Sequence, residues 1–246
     1  MLKKYHLLIV LIGLVCQVSQ VQGQEKGPEQ VVRVYLNDST EYTEGVLENG
    51  QQIGQWKYYD TSSDRIIRMG NFEDAHKVGE WVEYFENGTI QTIANYNEGM
   101  LNGDVLIYRE NSTKETIGHY DNGIKVGKWE YYHPNGKLHY NLNFENGLRH
   151  GDVTTFNYFG GISSSFTFEN GLLDGKLEEY YENGQTSVLG FYKKGKKDST
   201  WIDMDMMGML MEVKNYKVGE KDGKWEVYSG YGTLISSGLY ADDKKE

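Results

Sequence analysis

The sequence is poor in several residue types on which common folds and sites depend. It contains one cysteine, Cys16, and only two prolines in 246 residues. A lone cysteine excludes a disulfide framework within the chain and a cysteine-rich metal site. Hydrophobic residues make up 38% of the chain and aromatic residues 13%, so aliphatic side chains are few for one large core. Together with 30 glycines, this composition predicts short strands joined by glycine turns.

The chain also lacks a basic surface. Its 25 Lys and Arg are outnumbered by 36 Asp and Glu, which gives a formal net charge of −11. The densest basic group, Lys193, Lys194, Lys196 and Lys197, is interpreted as a solvated turn. Nucleic-acid binding needs clustered cations, so no nucleic-acid partner is expected. The same charge would repel anionic lipids, which disfavours a membrane-surface role.

Residues 1–23 predict a cleavable signal peptide. Lys3 and Lys4 precede an apolar run, residues 7–15, that is too short to span a membrane. The small residues before Gln24 favour cleavage there, followed by a polar leader over residues 24–29. The alternative is a lipoprotein anchored through Cys16, although Val15 stands where a lipobox has a smaller residue. We therefore expect an exported protein that is periplasmic, on the outer surface or secreted.

The remainder of the chain is a repeat with a period of 24 residues, broken once by 25. Its phase recurs at Gln30, Gly54, Gly79, Gly103, Gly127, Gly151, Gly175, Ser199 and Gly223, and each of these residues is position zero of its repeat. Position two is large and apolar: Val32, Trp56, Trp81, Val105, Trp129, Val153, Leu177, Trp201 and Trp225. Position five is aromatic or long: Tyr35, Tyr59, Tyr84, Tyr108, Tyr132, Phe156, Tyr180, Met204 and Tyr228. Position seventeen is aromatic in every repeat but the first, which has Leu47.

Two turns divide each repeat into two strands. The first turn contains motifs such as Pro134-Asn135-Gly136, which favour a three-residue loop closed by a glycine bulge. This loop predicts four facing pairs: Tyr84 with Ile90, Tyr132 with Leu138, Phe156 with Ile162 and Tyr228 with Leu234. The second, wider turn carries glycine at position twenty. The sequence thus predicts an all-β fold, an elongated single-layer antiparallel β-meander of about nine 24-residue hairpin repeats over residues 30–241, with a charged tail over 242–246.

Strand periodicity sets a further condition on the aromatic columns. Side chains alternate between the faces of a strand, so Trp129 and Tyr132 should point to opposite faces. Either both faces carry aromatic columns, or a bulge near the strand start brings them onto one. The methionines between Met204 and Met211 are interpreted as core filling in preference to a partner surface.

The repeat Gly-x-Trp-x-x-Tyr, then Asn-Gly, then an aromatic residue followed three positions later by glycine, resembles the MORN repeat variant of bacterial proteins, including those named YwqK-like antitoxins. The resemblance covers nearly all of residues 30–240 and is most complete at 79–102 and 127–150. It implies a hairpin-repeat sheet used as a scaffold or binding surface, with no catalytic residues to carry over.

Side chains for catalysis are not arranged in any motif. The histidines after residue 23 are His76, His119, His133, His139 and His150. Only His133 and His139, which flank one turn, could meet, and no cysteine or well-placed carboxylate completes a metal site. We expect no enzyme activity, no metal and no cofactor.

Three functions remain open. The first is an exported scaffold that binds another protein, with the outermost strand residues Val32, Val34 and Leu36 as a docking edge. The second is carbohydrate or cell-wall binding through the aromatic columns. The third is an antitoxin or immunity-type role. The candidate binding residues in the columns are Trp56, Trp81, Trp129, Trp201, Trp225, Tyr84, Tyr132 and Tyr180.

Overall fold

A computed structural model describes residues 30–36, 40–241 and 243–245. The predicted signal peptide, the polar leader and Cys16 lie outside the described residues, as do Asp242 and Glu246 of the charged tail. Within the described ranges, no helix is long and apolar enough to cross a membrane.

The described chain folds as twenty β-strands. Their bounds are β1 Gln30–Tyr35, β2 Glu41–Glu48, β3 Gln51–Asp60, β4 Ile66–Glu73, β5 His76–Tyr84, β6 Ile90–Asn97, β7 Met100–Tyr108, β8 Lys114–Asp121, β9 Ile124–Tyr132, β10 Leu138–Glu145, β11 Leu148–Phe156, β12 Ile162–Glu169, β13 Leu172–Leu173, β14 Gly175–Tyr180, β15 Thr186–Lys193, β16 Lys196–Met204, β17 Leu210–Lys217, β18 Glu220–Tyr228, β19 Leu234–Ala241 and β20 Lys244–Lys245. The short strands β13 and β14 are two parts of one repeat strand.

The chain forms two compact units. Of the described residues, unit 1 contains those up to Lys114 together with His119–Ile124, and unit 2 contains Glu115–Gly118 and those from Lys125 onward. In unit 1, β1 to β7 pair consecutively and antiparallel. In unit 2, β9 to β20 do the same, except that β13 and β14 both pair with β12. The predicted all-β meander of hairpin repeats is confirmed within each unit.

In the seven repeats from Gly79 onward, the first turn is a three-residue loop that ends in a left-handed residue. In the repeat that starts at Gly127, the amide of His133 donates to the carbonyl of Lys137 at 2.8 Å. Gly136 has φ 81°, a value that glycine adopts without steric cost. The four predicted facing pairs are all present, with one bulged residue just beyond each. The loop type therefore sets the register of the hairpin.

The second turn is tighter than the wide turn expected from the sequence. Glu145 pairs with Leu148, so only Asn146 and Gly147 lie between the strands. Both have positive φ, 50° and 79°, which defines a type I′ turn. This turn matches the right-handed twist of the strands that it joins, and glycine at position twenty was its signal in the sequence.

A bulge lies at position zero of the repeats. Gly79 has φ 62°, and the register of β4 against β5 shifts across it. Because this bulge precedes both columns, it does not change their relative direction. The Trp129 ring lies 5.9 Å from the Phe144 ring, centroid to centroid, while the Tyr132 hydroxyl bonds to Glu130, two residues away on the other face. Positions two and five thus point to opposite faces, and both faces carry aromatic columns.

Candidate interaction surfaces

The tryptophans of position two form the core of the repeats. Trp56, Trp81 and Trp129 are each 2% exposed, and Trp201 is 6% exposed. In unit 1 they pack with Val32 and Phe72, and in unit 2 Trp201 meets Tyr192 at 5.2 Å between ring centroids. Their rings therefore contribute to packing within each unit and leave little surface for a ligand.

Glycine at position fifteen makes room for each buried ring. A Cβ at Gly118 would lie 2.2 Å from the Trp129 ring, and a Cβ at Gly70 equally close to Trp81. The same relation joins Gly45 to Trp56 and Gly190 to Trp201. Where position two of the next repeat is smaller, position fifteen is larger, as in the pair of Ala94 and Val105. Side-chain size at these two positions is therefore complementary across the second turn.

Trp225 departs from this arrangement because Lys214 occupies position fifteen of the preceding repeat. Its ring lies instead over Gly238 of β19, where a Cβ would be 2.8 Å from the indole nitrogen. Trp225 is only half-buried, and its buried indole N–H has no hydrogen-bond partner among the described residues. In Trp81 the same group donates to the carbonyl of Asn71 at 3.2 Å.

Lysine side chains cover the open side of several rings. The ammonium nitrogens of Lys77, Lys125 and Lys197 lie 4.1, 3.9 and 3.8 Å from the centroids of Trp81, Trp129 and Trp201. Cation–π attraction favours this placement. Burial lowers the pKa of Lys77 and of Lys125, although both stay close to aromatic faces. Each of these three rings thus has glycine on one side and a lysine on the other.

The position-five tyrosines lie on the opposite face and are half-buried at Tyr84, Tyr132 and Tyr180. The Tyr132 hydroxyl donates to Glu130 at 2.7 Å, and Lys128 pairs with the same carboxylate at 2.7 Å. Burial and the hydrogen bond to Glu130 raise the pKa of Tyr132 to about 12. This face combines tyrosine rings with ion pairs along its strands.

His133 and His139 meet across the first turn of their repeat, as their spacing predicts. Their ring centroids are 4.2 Å apart, and the Nε2–H of His133 donates to the carbonyl of Phe156 at 2.8 Å. Burial and the nearby His133 lower the pKa of His139. Over the described ranges, no group of three His, Cys, Asp or Glu residues could hold a metal ion.

The loop tips, positions seven and eight of each first turn, are linked along the repeats by asparagine. In unit 1 the Nδ2 of Asn87 donates to the carbonyl of Glu110 at 3.1 Å. In unit 2, Asn135 donates to Tyr158 at 2.7 Å and Asn183 to Met206 at 2.9 Å. The Oδ1 of each asparagine also accepts a backbone N–H within its own loop. One side chain thus shapes its loop and attaches it to the next.

In unit 2 three repeats have an apolar residue where the others have this asparagine. These residues are Phe159, Met207 and Tyr231, which are 73%, 87% and 93% exposed. Tyr158 and Met206 beside them are also exposed. The prediction that the methionine cluster fills the core is wrong for Met206 and Met207, because a hairpin tip in a meander has only other tips as neighbours. We call Tyr158, Phe159, Met206, Met207 and Tyr231 the apolar tips.

The sequence pattern did not lead us to predict the apolar tips, although position eight of the repeat contains a signal for them. Position eight is asparagine in four repeats, at Asn87, Asn111, Asn135 and Asn183, so an aromatic residue or methionine there is a departure from the pattern. Contiguous exposed apolar residues are uncommon on soluble proteins and often mark interaction sites.

The outer strands form a second candidate surface. In β1, Val32 is buried against the core of unit 1, Val34 is half-buried, and Val31 and Tyr35 are exposed; Leu36, directly after the strand, is half-buried. In β19, Leu234, Ile235 and Leu239 are exposed. The short β20, Lys244–Lys245, pairs only with Tyr240 and Ala241 of β19, so among the described residues the side of Leu234–Leu239 that faces away from β18 is open.

Comparisons with known proteins identify the repeat. The family model described as MORN repeat variant matches residues 77–98, 125–146 and 173–194, three segments that start two repeats apart. No curated protein matches the chain. A similar solved structure is that of a porin-like protein from Bacteroides uniformis ATCC 8492, with 7% identity, a TM-score of 0.22, and coverage of 87% of this chain and 91% of that chain. A TM-score of 0.22 does not establish that the two proteins share a fold.

Proposed function

Because the chain is built from repeats of the MORN repeat variant family, we propose that it is a non-catalytic exported scaffold that binds another protein through the apolar tips of unit 2. The observation that carries this proposal is the exposure of Phe159, Met207 and Tyr231 at positions where other repeats have asparagine. Export is supported by the signal-peptide pattern of residues 1–23.

The chemistry of the apolar tips favours a protein partner. Phe159, Met206 and Met207 have no side-chain group that could donate a hydrogen bond to a sugar hydroxyl. Methionine is flexible and polarisable, so it adapts to apolar protein surfaces. The tips are one repeat or more apart, and each repeat advances the sheet by two strand spacings of about 4.8 Å. A partner would therefore contact an extended row rather than one pocket.

Carbohydrate binding is the competing proposal. Stacking on a sugar needs an exposed ring, and the four buried tryptophans do not offer one. Tyr158 and Tyr231 are exposed rings within the apolar tips, so a glycan ligand would also depend on this surface. An immunity-type role would be a special case of protein binding in which the partner is a toxin.

Paired variants test this proposal. We expect the double variant Phe159→Ser and Met207→Ser to lose most capture of its partner from an envelope fraction, with an unchanged melting temperature. Both loops keep their backbone bonds, because Asn157 accepts the amide of Phe159 and Asp205 the amide of Met207. The matched control is Leu148→Ser with Leu172→Ser, two exposed residues beside the second turn.

Three outcomes separate the proposals. Loss of a captured protein in the tip variant alone supports the scaffold. Retention on peptidoglycan or a glycan array that depends on Tyr158 and Tyr231 would replace the protein partner with a carbohydrate. Equal capture by the tip variant, the control and the unchanged protein would overturn a role for the apolar tips.

A further inference from the structure

The two outer strands have complementary repeat positions. Strand β18, Glu220–Tyr228, covers position 21 of one repeat to position five of the next. Strand β20 has only positions 21 and 22, Lys244–Lys245, and β1 has only positions zero to five, Gln30–Tyr35. Strand β18 lies beside β17 and supplies all of these positions. If β20 and the β1 of another copy lay end to end beside β19, they would together supply the same positions except 23.

We propose that β1 of a second copy of this chain adds to the open edge of β19, so that copies associate head to tail. Strand β1 is paired on one side, by β2, and β19 is paired on one side by β18 and on the other only at Tyr240 and Ala241, by β20. Among the described residues, no strand pairs with the other side of β1, or with the side of Leu234–Leu239 that faces away from β18. Unpaired strand edges present rows of backbone donors and acceptors that favour such an addition.

The internal junctions give the register of the contact. In β17 and β18, position thirteen pairs with position four, as Glu212 does with Val227, and position fourteen pairs with position three. The same register recurs between β4 and β5, β6 and β7, and β15 and β16. Transferred to the two edges, it places Ser236 opposite Val34, Ser237 opposite Arg33, and Gly238 opposite Val32 of the second copy.

The side chains at these positions fit that register. Gly238 already holds the ring of Trp225, so a second tryptophan would not fit there. Position two of β1 is Val32, and the valine at the same position in β7, Val105, faces the small residue Ala94. No like charge would face Arg33, since Ser237 is uncharged. Exposed Ile235 and Val31, 66% and 76% accessible in the single chain, would lie at the new junction.

The contact joins two different surfaces, so it does not close on a pair of copies. Each added copy presents a new β19 edge, and heterologous contacts of this kind continue unless their rotation forms a ring. Association should therefore rise with concentration through dimers to larger species. This inference is independent of the apolar tips, whose residues take no part in the junction.

Single-cysteine variants test the register. In a Cys16→Ser background, Arg33→Cys is mixed with Ser237→Cys under mild oxidation. Cross-strand neighbours have Cβ atoms within about 5.5 Å, which is close to disulfide geometry. We expect the mixture to give a covalent dimer whose yield rises with protein concentration. The matched control mixes Ser237→Cys with Glu86→Cys, an exposed position on a loop of unit 1.

The results that would overturn the proposal are specific. Equal cross-linking in the control mixture would show random collision. Efficient linking of Ser237→Cys to itself would show that β19 pairs with β19. A single monomeric species in sedimentation velocity at every concentration up to about 100 times that used for cross-linking would exclude the contact. Far-UV circular dichroism identical to the unchanged chain confirms that each variant is folded.

Discussion

At the scale of single residues, the size of the side chain at position fifteen decides where a tryptophan lies. Gly118 leaves no room for a Cβ beneath the Trp129 ring, whereas Ala94 faces the smaller Val105. When Lys214 takes the glycine position, the Trp225 ring moves to the next available glycine, Gly238. Close packing in protein interiors makes such pairs depend on each other.

Gly118→Ala should destabilise the protein, because a new methyl group would overlap the ring of Trp129. Overpacking of this kind costs about 1–3 kcal/mol. Trp129→Val alone should cost roughly 2–4 kcal/mol through the cavity that it leaves. The double variant recreates the pairing of Ala94 with Val105, so its loss should be smaller than the sum by about 1–2 kcal/mol. Urea unfolding of the four proteins measures this coupling.

Gly230→Ala is the control for that cycle. A Cβ at Gly230 would meet no atom within 4 Å, and its φ is not in the left-handed region. The change in unfolding free energy should stay within about 0.5 kcal/mol. An additive result for Gly118 and Trp129, with no coupling, would show that the two side chains do not compete for space.

The hydroxyl of Tyr132 predicts a dependence of stability on alkaline pH. Its pKa in the folded protein is raised to about 12, above the 10.0 of the free side chain, by burial and by the bond to Glu130. Its contribution is therefore fully present below pH 10 and is lost as the pH rises toward 12. Tyr132→Phe should show a smaller fall of unfolding free energy over this window than the unchanged protein.

The control for Tyr132 is Tyr231→Phe, which removes a hydroxyl from a ring that is 93% exposed. Its profile between pH 10 and 12 should follow that of the unchanged protein. If Tyr132→Phe and Tyr231→Phe give the same profile, the bond between Tyr132 and Glu130 does not contribute to folding stability.

At the scale of the element, the second turn depends on left-handed residues at positions nineteen and twenty. Asparagine supplies position nineteen at Asn49, Asn122, Asn146 and Asn170, with φ between 47° and 52°. Val218 has the same conformation, φ 54°, although β-branched residues are strained there. Its side chain is exposed, so burial does not offset that strain.

Val218→Asn should stabilise the protein by about 1 kcal/mol, because it removes a β-branched residue from the left-handed region. The backbone N–H of residue 218 donates to the carboxylate of Asp198, and this bond does not depend on the side chain at position 218. The reverse change, Asn146→Val, should destabilise by a similar amount. Thermal unfolding of both variants checks the pair, and a Val218→Asn protein no more stable than the original would contradict the strain.

At the scale of the whole molecule, the extensive strand contacts among the described residues of each unit join strands of the same repeat or of neighbouring repeats. Repeat proteins of this kind have stability close to a sum over repeats and junctions. Deletion of residues 151–174 removes one complete repeat from unit 2 and joins two strands of the same types as before. We expect a folded protein with lower unfolding free energy and a smaller urea m-value.

Deletion of residues 151–162 is the matched control for the repeat deletion. It removes half a repeat, so β10 would be followed by a strand that joins residues 148–150 of β11 to residues 163–169 of β12, the second strand of a hairpin. The glycine and tryptophan positions would then no longer face each other, and circular dichroism should show loss of ordered sheet. Equal behaviour of the two deletions would contradict the repeat as the unit of folding.

Much of the fold follows from local rules. Pro134, Asn135 and Gly136 predict the three-residue loop, and that loop fixes the pairing of Tyr132 with Leu138. Trp129 and Tyr132 point to opposite faces, which is one of the two arrangements that the sequence left open and the one that simple strand alternation favours. The prediction failed for Met206 and Met207, because apolar composition alone indicates burial, while their place at a hairpin tip exposes them.

The sequence by itself determined the period, the hairpins and the register at their three-residue loops, because turn chemistry and strand alternation act over a few residues. Only the tertiary structure decided which side chains are accessible. The Trp129 ring lies between Gly118 of the neighbouring strand and the ammonium group of Lys125. No pattern of residues along one strand predicts that contact. Packing between strands therefore took the tryptophans out of contact with solvent and left the apolar tips and the outer strands as surfaces for partners.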